Sequence, residues 1–114
     1  MEKLVVKGGH KLKGRIRVSG AKNAVLPIIA AAILGSQKSS ILEVPQLNDV
    51  VTICKVLECL GMKIDYSEPH ALHIDSRKVT SCEAPYELVS TMRASLLVIG
   101  SLLARVGKAR ISQP

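Results

Sequence analysis

The sequence changes its period abruptly at Ser19-Gly20-Ala21-Lys22-Asn23, and that change constrains the fold more than any other feature. Before it, Lys11-Leu12-Lys13-Gly14-Arg15-Ile16-Arg17-Val18 alternates. A period of two puts Leu12, Ile16 and Val18 on one face of a strand and four cations on the other. After it, Ala24 to Leu34 is almost wholly apolar, with Val25, Leu26, Ile28, Ile29 and Ile33 spread around all sides of a helix. Such a helix predicts burial on every side, so a sheet or further helices must surround it. The five residues between form a strand-to-helix turn. Free N–H groups and the macrodipole make a helix start attractive to anions. Lys22 adds an ammonium with three donors, and Asn23 an amide able to cap the helix or read a hydroxyl. A solvated lysine beside a capping asparagine accounts for the same residues without a ligand.

The rest of the chain reads as short alternating elements. Leu4-Val5-Val6 predicts a strand and Gly8-Gly9 a turn. Pro27 belongs in the first turn or so of the apolar helix, and Gly35 ends it. Ser39 to Val44 reads as a strand closed by Pro45. Asn48 or Asp49 then caps a helix over Val50 to Leu60, whose stripe of Val50, Ile53, Cys54, Leu57 and Leu60 stops at Gly61. Met62 to Tyr66 and Ala71 to Asp75 form a hairpin, which places His70 and His73 on its turn or polar face. A polar linker, Ser76 to Glu83, follows. Pro85 opens a helical region whose long part runs from Ser90 to Val106, and Lys108 to Ser112 closes as a strand.

Composition narrows the chemistry. There is no Phe or Trp, and Tyr66 and Tyr86 are the only aromatics, so the core is aliphatic. The net charge of +7 invites a nucleic-acid partner, but single-strand binding relies on stacked aromatics that are missing. A field that draws in a phosphorylated small substrate suits the charge better. Gly9 and Gly14 have the spacing of a phosphate loop, but Arg15-Ile16 stands where Lys-Ser/Thr is required. Cys54, Cys59 and Cys82 form no metal-ligand spacing with His10, His70 or His73, which predicts reduced thiols, no metal and a cytoplasmic setting. No apolar stretch approaches the roughly 20 residues of a membrane span, and no secretory leader is expected.

Sliding the segment from Asn23 by 70 positions lands it on Arg93 without a gap. Ala24 meets Ala94, Leu26 meets Leu96, Ile29 meets Ile99, Lys38 meets Lys108 and Ile41 meets Ile111. The shared order of apolar helix, lysine turn and strand predicts a repeat, with the second copy breaking off after its first strand.

Three stretches carry a family resemblance: Ser19-Gly20-Ala21-Lys22-Asn23-Ala24 with Leu26-Pro27; Val44-Pro45-Gln46-Leu47-Asn48-Asp49-Val50; and Ala84-Pro85-Tyr86 leading to Thr91-Met92-Arg93-Ala94-Ser95. Along the whole chain, in order, they resemble the start of the enolpyruvyl transferases that begin peptidoglycan synthesis, the UDP-N-acetylglucosamine 1-carboxyvinyltransferases. The resemblance implies an α/β (α+β) fold of two inside-out lobes, each built of βαβαββ repeats, here truncated. Residues 1–21 would supply strands to the other lobe. Residues 22–114 would form the first unit, and the start of the second, of the substrate-binding lobe. It further implies that Lys22 and Asn23 bind phosphoenolpyruvate, and that Arg93 and Asn23 bind UDP-N-acetylglucosamine. The catalytic cysteine acid would follow Ser112-Gln113-Pro114, so none of the three cysteines present inherits its role. Cofactors, metals, nucleic acid and membrane play no part in that chemistry.

Asn48 and Leu97 depart from residues that some relatives carry, a lysine and a tryptophan, which bears on sugar-nucleotide packing. A sister enzyme, 5-enolpyruvylshikimate-3-phosphate synthase, shares the fold and donor, but there a serine follows the lysine. Two other classes compete: a basic nucleic-acid-binding module using Lys11, Lys13, Arg15 and Arg17, with steep salt dependence, and a lobe that has lost its chemistry.

Overall fold

The punctuation of the sequence sets where each element starts and stops in the computed structural model, which describes residues 2–81, 83–84 and 97–111. Helix α1 spans Lys22–Ala31 and tightens into a 3-10 turn, Ala32–Leu34, before Gly35. Strand β1 (Lys38–Leu42) leads to helix α2 (Asn48–Cys59) and then to the hairpin of β2 (Lys63–Asp65) and β3 (Ala71–Asp75). Strand β4 (Glu83–Ala84), helix α3 (Leu97–Val106) and strand β5 (Arg110–Ile111) follow. The family-level expectation of mixed α/β structure, with helix, strand, helix, strand, strand in the first unit, is met.

β3 is the middle strand of an antiparallel sheet ordered β1-β3-β2, with Ser40 and Asp65 both opposite His73. Leu72 and Ile74 are buried, while His73 between them and Asp75 after them are half-buried, as period two requires. Against the sheet lies the predicted stripe of α2, fully buried at Ile53, Cys54, Leu57 and Leu60 and joined by Val56. Ile29 and Ile33 from the first helix, and Val98 and Leu102 from α3, complete one aliphatic core. β4 and β5 pair in parallel, which requires the crossover that contains α3.

Gly61 ends α2 at φ 108°, the left-handed region, and a Cβ there would collide with Thr80. Its neighbour Leu60 accepts the amides of Thr80 and Ser81, so the helix end also anchors the segment leaving the sheet. A second anchor is Arg105 in the last turn of α3. Its Nη1 donates to the carbonyls of Ile33 (2.9 Å), Gly35 (3.1 Å) and Ser76, and its Nη2 to that of Arg77 (3.1 Å). One guanidinium thus closes the C-terminal end of the 3-10 turn and ties it to the strand exit after β3.

Four expectations are corrected. First, Leu4–Val6 and Lys11–Val18 form no strand: residues 2–19 are an exposed arm without helix or sheet, with Leu12 and Ile16 each 92% exposed. An alternating segment becomes a strand only when a second strand takes its N–H and C=O groups, and none does so among the described residues. The Cα radius of gyration of 17.3 Å exceeds the roughly 13 Å of a compact chain this long, as an arm standing off a core demands. Second, α1 is not buried on all sides. Ile28 and Leu34 are about half exposed on a face that also carries Ala24, Pro27 and Ala31, and no described element covers that face. Third, the caps differ: Ala21 and Leu47 occupy the N-cap positions, and neither Asn23 nor Asn48 caps with its side chain. Each helix starts one or two residues earlier than expected, which places those side chains inside the first turn. Fourth, the closing strand begins at Arg110 and not at Lys108, and its expected end at Ser112 lies outside the described residues. The expected helix start at Ser90 lies outside the described residues.

Candidate functional site

The Ser19–Asn23 turn is fixed by close backbone packing. A Cβ on Gly20 would overlap the carbonyl oxygen of Glu43 and stand 3.1 Å from Pro45 Cδ, so only glycine lets the two segments meet. Glu43 itself has φ 58°, an uncommon conformation for this residue type. The Arg17 guanidinium pairs with the Glu43 carboxylate beside the same contact. Val44, next along, is held on both sides: its N–H donates to the His70 carbonyl at 2.9 Å, and His70 Nδ1 donates to its carbonyl at 3.1 Å. A carbonyl only accepts, so His70 carries its proton on Nδ1. The histidine expected on the hairpin turn therefore pins the loop against which Gly20 packs.

From this fixed turn, Lys22 opens α1 and Asn23 follows it, both exposed. The amides of Ala24 and Val25 turn back to the Ala21 carbonyl, and those of Val50 and Val51 to Leu47. At both helix starts the first two amides, of Lys22 and Asn23 and of Asn48 and Asp49, have no acceptor among the described residues. Pro27 has no N–H to give the Asn23 carbonyl, which leaves a polar group free in the same turn. Lys22 Nζ meets Asp49 Oδ2 at 2.5 Å, which brings the first turns of α1 and α2 together. From sequence alone Asp49 reads as a cap residue. Its partner lies 27 positions away, and only the packing of the two helices joins them.

An apolar cleft of about 380 Å³ opens between the loop before α2 and the β2–β3 hairpin, lined by Val44, Val51, Cys54, Tyr66, His70 and Leu72 among others. Neither Lys22 nor Asn23 lines it, and its walls offer little to an anion. Cys54 is buried there; burial, aided by the nearby Glu58 carboxylate, pushes its thiol up to about 11. Such a thiol is inert at neutral pH. Cys59 is exposed. Cys82 and Arg93, the residue expected at the sugar nucleotide, lie outside the described residues, as does Ser112-Gln113-Pro114. Among the described residues no cluster of His, Cys, Asp and Glu could hold a metal, and no helix is long and apolar enough to cross a membrane.

Lys22 thus stands where the first turns of α1 and α2 meet. Residues 6–113 match the family described as EPSP synthase (3-phosphoshikimate 1-carboxyvinyltransferase). The chain belongs to this family. Over its full length it is 54% identical to the UDP-N-acetylglucosamine 1-carboxyvinyltransferase of Geotalea uraniireducens and 47% to that of Saccharophagus degradans. UDP-N-acetylglucosamine 1-carboxyvinyltransferase 1 of Staphylococcus aureus (strain N315) is 51% identical. The chain spans only 27–28% of the length of these relatives. Among solved structures, the enolpyruvyl transferase NikO from Streptomyces tendae superposes with a TM-score of 0.74 over 88% of this chain and 23% of its own, at 26% identity. The fold is therefore that of the enolpyruvyl transferases.

Proposed function

We propose that these 114 residues are the N-terminal portion of an enzyme that moves the enolpyruvyl group of phosphoenolpyruvate to the 3-hydroxyl of UDP-N-acetylglucosamine, releasing phosphate. That reaction is the first committed step of peptidoglycan synthesis, a cytoplasmic step on which cell-wall growth, shape and division depend. The observation that carries the reading is identity of 47–54% along the whole chain to relatives named for this transfer.

In the reaction the sugar oxygen adds to C2 of phosphoenolpyruvate while the methylene carbon takes a proton; the proton then returns and phosphate leaves. The chemistry needs cations on phosphate and carboxylate, a general acid and a base. Lys22 supplies one cation, and the unpaired amides of α1 add donors beside it. Asn23, next to it, suits the junction of the two substrates, and Arg93 the sugar nucleotide. The acid is a cysteine expected after Pro114. Residues 1–21 join the second lobe, and residues 22–114 form the first repeat and part of the next. The small-molecule substrates require no nucleic acid, membrane or cofactor.

A charge-assisted hydrogen bond from Lys22 is worth about 1.5–3 kcal/mol, so Lys22→Ala in the full-length gene product is expected to lower kcat/KM for phosphoenolpyruvate about tenfold to hundredfold. Unchanged kinetics remove Lys22 from the site. Phosphate release with UDP-N-acetylglucosamine, and none with shikimate 3-phosphate, is the expected acceptor pattern. The reverse pattern selects the sister reaction to which the family's description refers. The 114-residue chain alone is expected to turn over neither.

A further inference from the structure

We propose that Asp49 is a positioning residue for Lys22, holding its ammonium at the meeting point of α1 and α2 so that it is already aimed when the anionic substrate arrives. The proposal rests on the reading of Lys22 as a phosphoenolpyruvate ligand. Three observations support it. The Gly20 contact with Glu43 and Pro45 fixes the backbone that enters α1, so the remaining freedom at Lys22 is its four-carbon stem. A cation on the first residue of a helix faces the positive end of that helix's dipole, and nothing in α1 compensates, since its first turn has no acidic residue. Asp49, by contrast, lies in the first turn of α2, where a carboxylate is stabilised by its own helix. It is the less exposed partner, 28% against 50% for Lys22, and so the better anchored of the two.

The arrangement makes a specific kinetic claim. Asp49 orients the ammonium but also subtracts charge from the ground-state field that the substrate meets. Removing its charge while keeping its shape therefore separates the two effects. In the full-length gene product, Asp49→Asn is expected to lower kcat about tenfold to hundredfold through lost orientation. KM for phosphoenolpyruvate stays level or falls. Asp49→Glu, which restores the charge, recovers most of kcat. In the double variant with Lys22→Ala the loss is no greater than for Lys22→Ala alone, because Asp49 acts only through Lys22.

Wild-type kcat for Asp49→Asn, or losses that multiply in the double variant, overturns the proposal and leaves the function intact. Wild-type kinetics for Lys22→Ala removes Lys22 from the site and the proposal falls with it, whereas no phosphate release with UDP-N-acetylglucosamine by the wild-type full-length product overturns the function. A surface ion pair that merely stabilised the fold would shift the urea midpoint slightly and leave kcat unchanged. Should Asp49→Asn fail to fold, the Nζ resonance of Lys22 in the wild-type protein carries the test. Slow exchange with water relative to exposed Lys55 supports a held ammonium, and exchange as fast as that of Lys55 overturns it.

Discussion

Replacing Arg105 by methionine keeps most of the apolar stem and removes every hydrogen bond that, among the described residues, joins α3 to the first helix and the sheet exit. Its guanidinium serves four carbonyls, but they are not equal in cost. Gly35 and Arg77 are exposed residues whose carbonyls regain water, whereas Ile33 and Ser76 are fully buried. Ser76 has a further role, its single hydroxyl proton shared between the carbonyls of Gly35 and Gln37, so the same strand exit is held from two sides. An unsatisfied buried acceptor costs about 1–3 kcal/mol; two of them, with partial relaxation, give about 2–4 kcal/mol. With a urea m-value of about 1–3 kcal/mol/M for a small domain, the unfolding midpoint of Arg105→Met is expected to fall by roughly 1–2 M. Arg105→Lys retains the charge and three donors but cannot span four carbonyls with a point-like ammonium, and it should recover about half of the loss. Far-UV circular dichroism against urea reads both variants. A methionine variant whose midpoint stays within about 0.3 M of wild type, too little for even one lost buried hydrogen bond, refutes the assignment of Arg105 as the tie between the units.

Two further predictions concern titratable groups. Iodoacetamide at pH 8 should alkylate Cys59 at least about tenfold faster than Cys54, which is both buried and poorly ionised; equal rates by peptide mapping would mean that the inner face of α2 is open. Asp75 accepts from the Arg77 side chain and backbone, with Lys38 opposite it in the sheet, and its carboxyl is lowered from 3.8 to about 2. A depressed carboxyl stabilises the fold above the unfolded value and loses that contribution as pH falls from about 4 toward 2; an NMR titration midpoint near the unperturbed value would remove the pairing.

Much of the fold was legible because it rests on local pattern. The α2 stripe, the hairpin and the stop at Gly61 follow from periodicity and glycine geometry alone, and all are present. The misses share another cause: each depended on what the segment meets in space. Lys11 to Val18 has a strand's alternation but no partner for its backbone. The apolar run of α1 has more apolar faces than the described neighbours cover. Asp49 has the composition of a cap and is instead a partner for Lys22. For Arg105 no local signal exists at all; a lone arginine in a helix's last turn reads as a dipole-compensating cation, and its four acceptors come from 28 to 72 positions away.

The 70-residue shift read from the sequence bears on what is open in the architecture. Shifted back by 70 positions, the parallel pairs Glu83–Arg110 and Ala84–Ile111 fall on Lys13–Ser40 and Gly14–Ile41. In the second unit that pairing exists. In the first, β1 sits at the edge of its sheet with β3 on one side, and the residues equivalent to β4 lie in the exposed arm. The same shift places Arg105 on Gly35, whose carbonyl it binds, so the second unit fixes its predecessor with a residue that the first unit does not possess. An open edge is a liability that proteins cover or blunt. Among the described residues no strand pairs with the outer edge of β1.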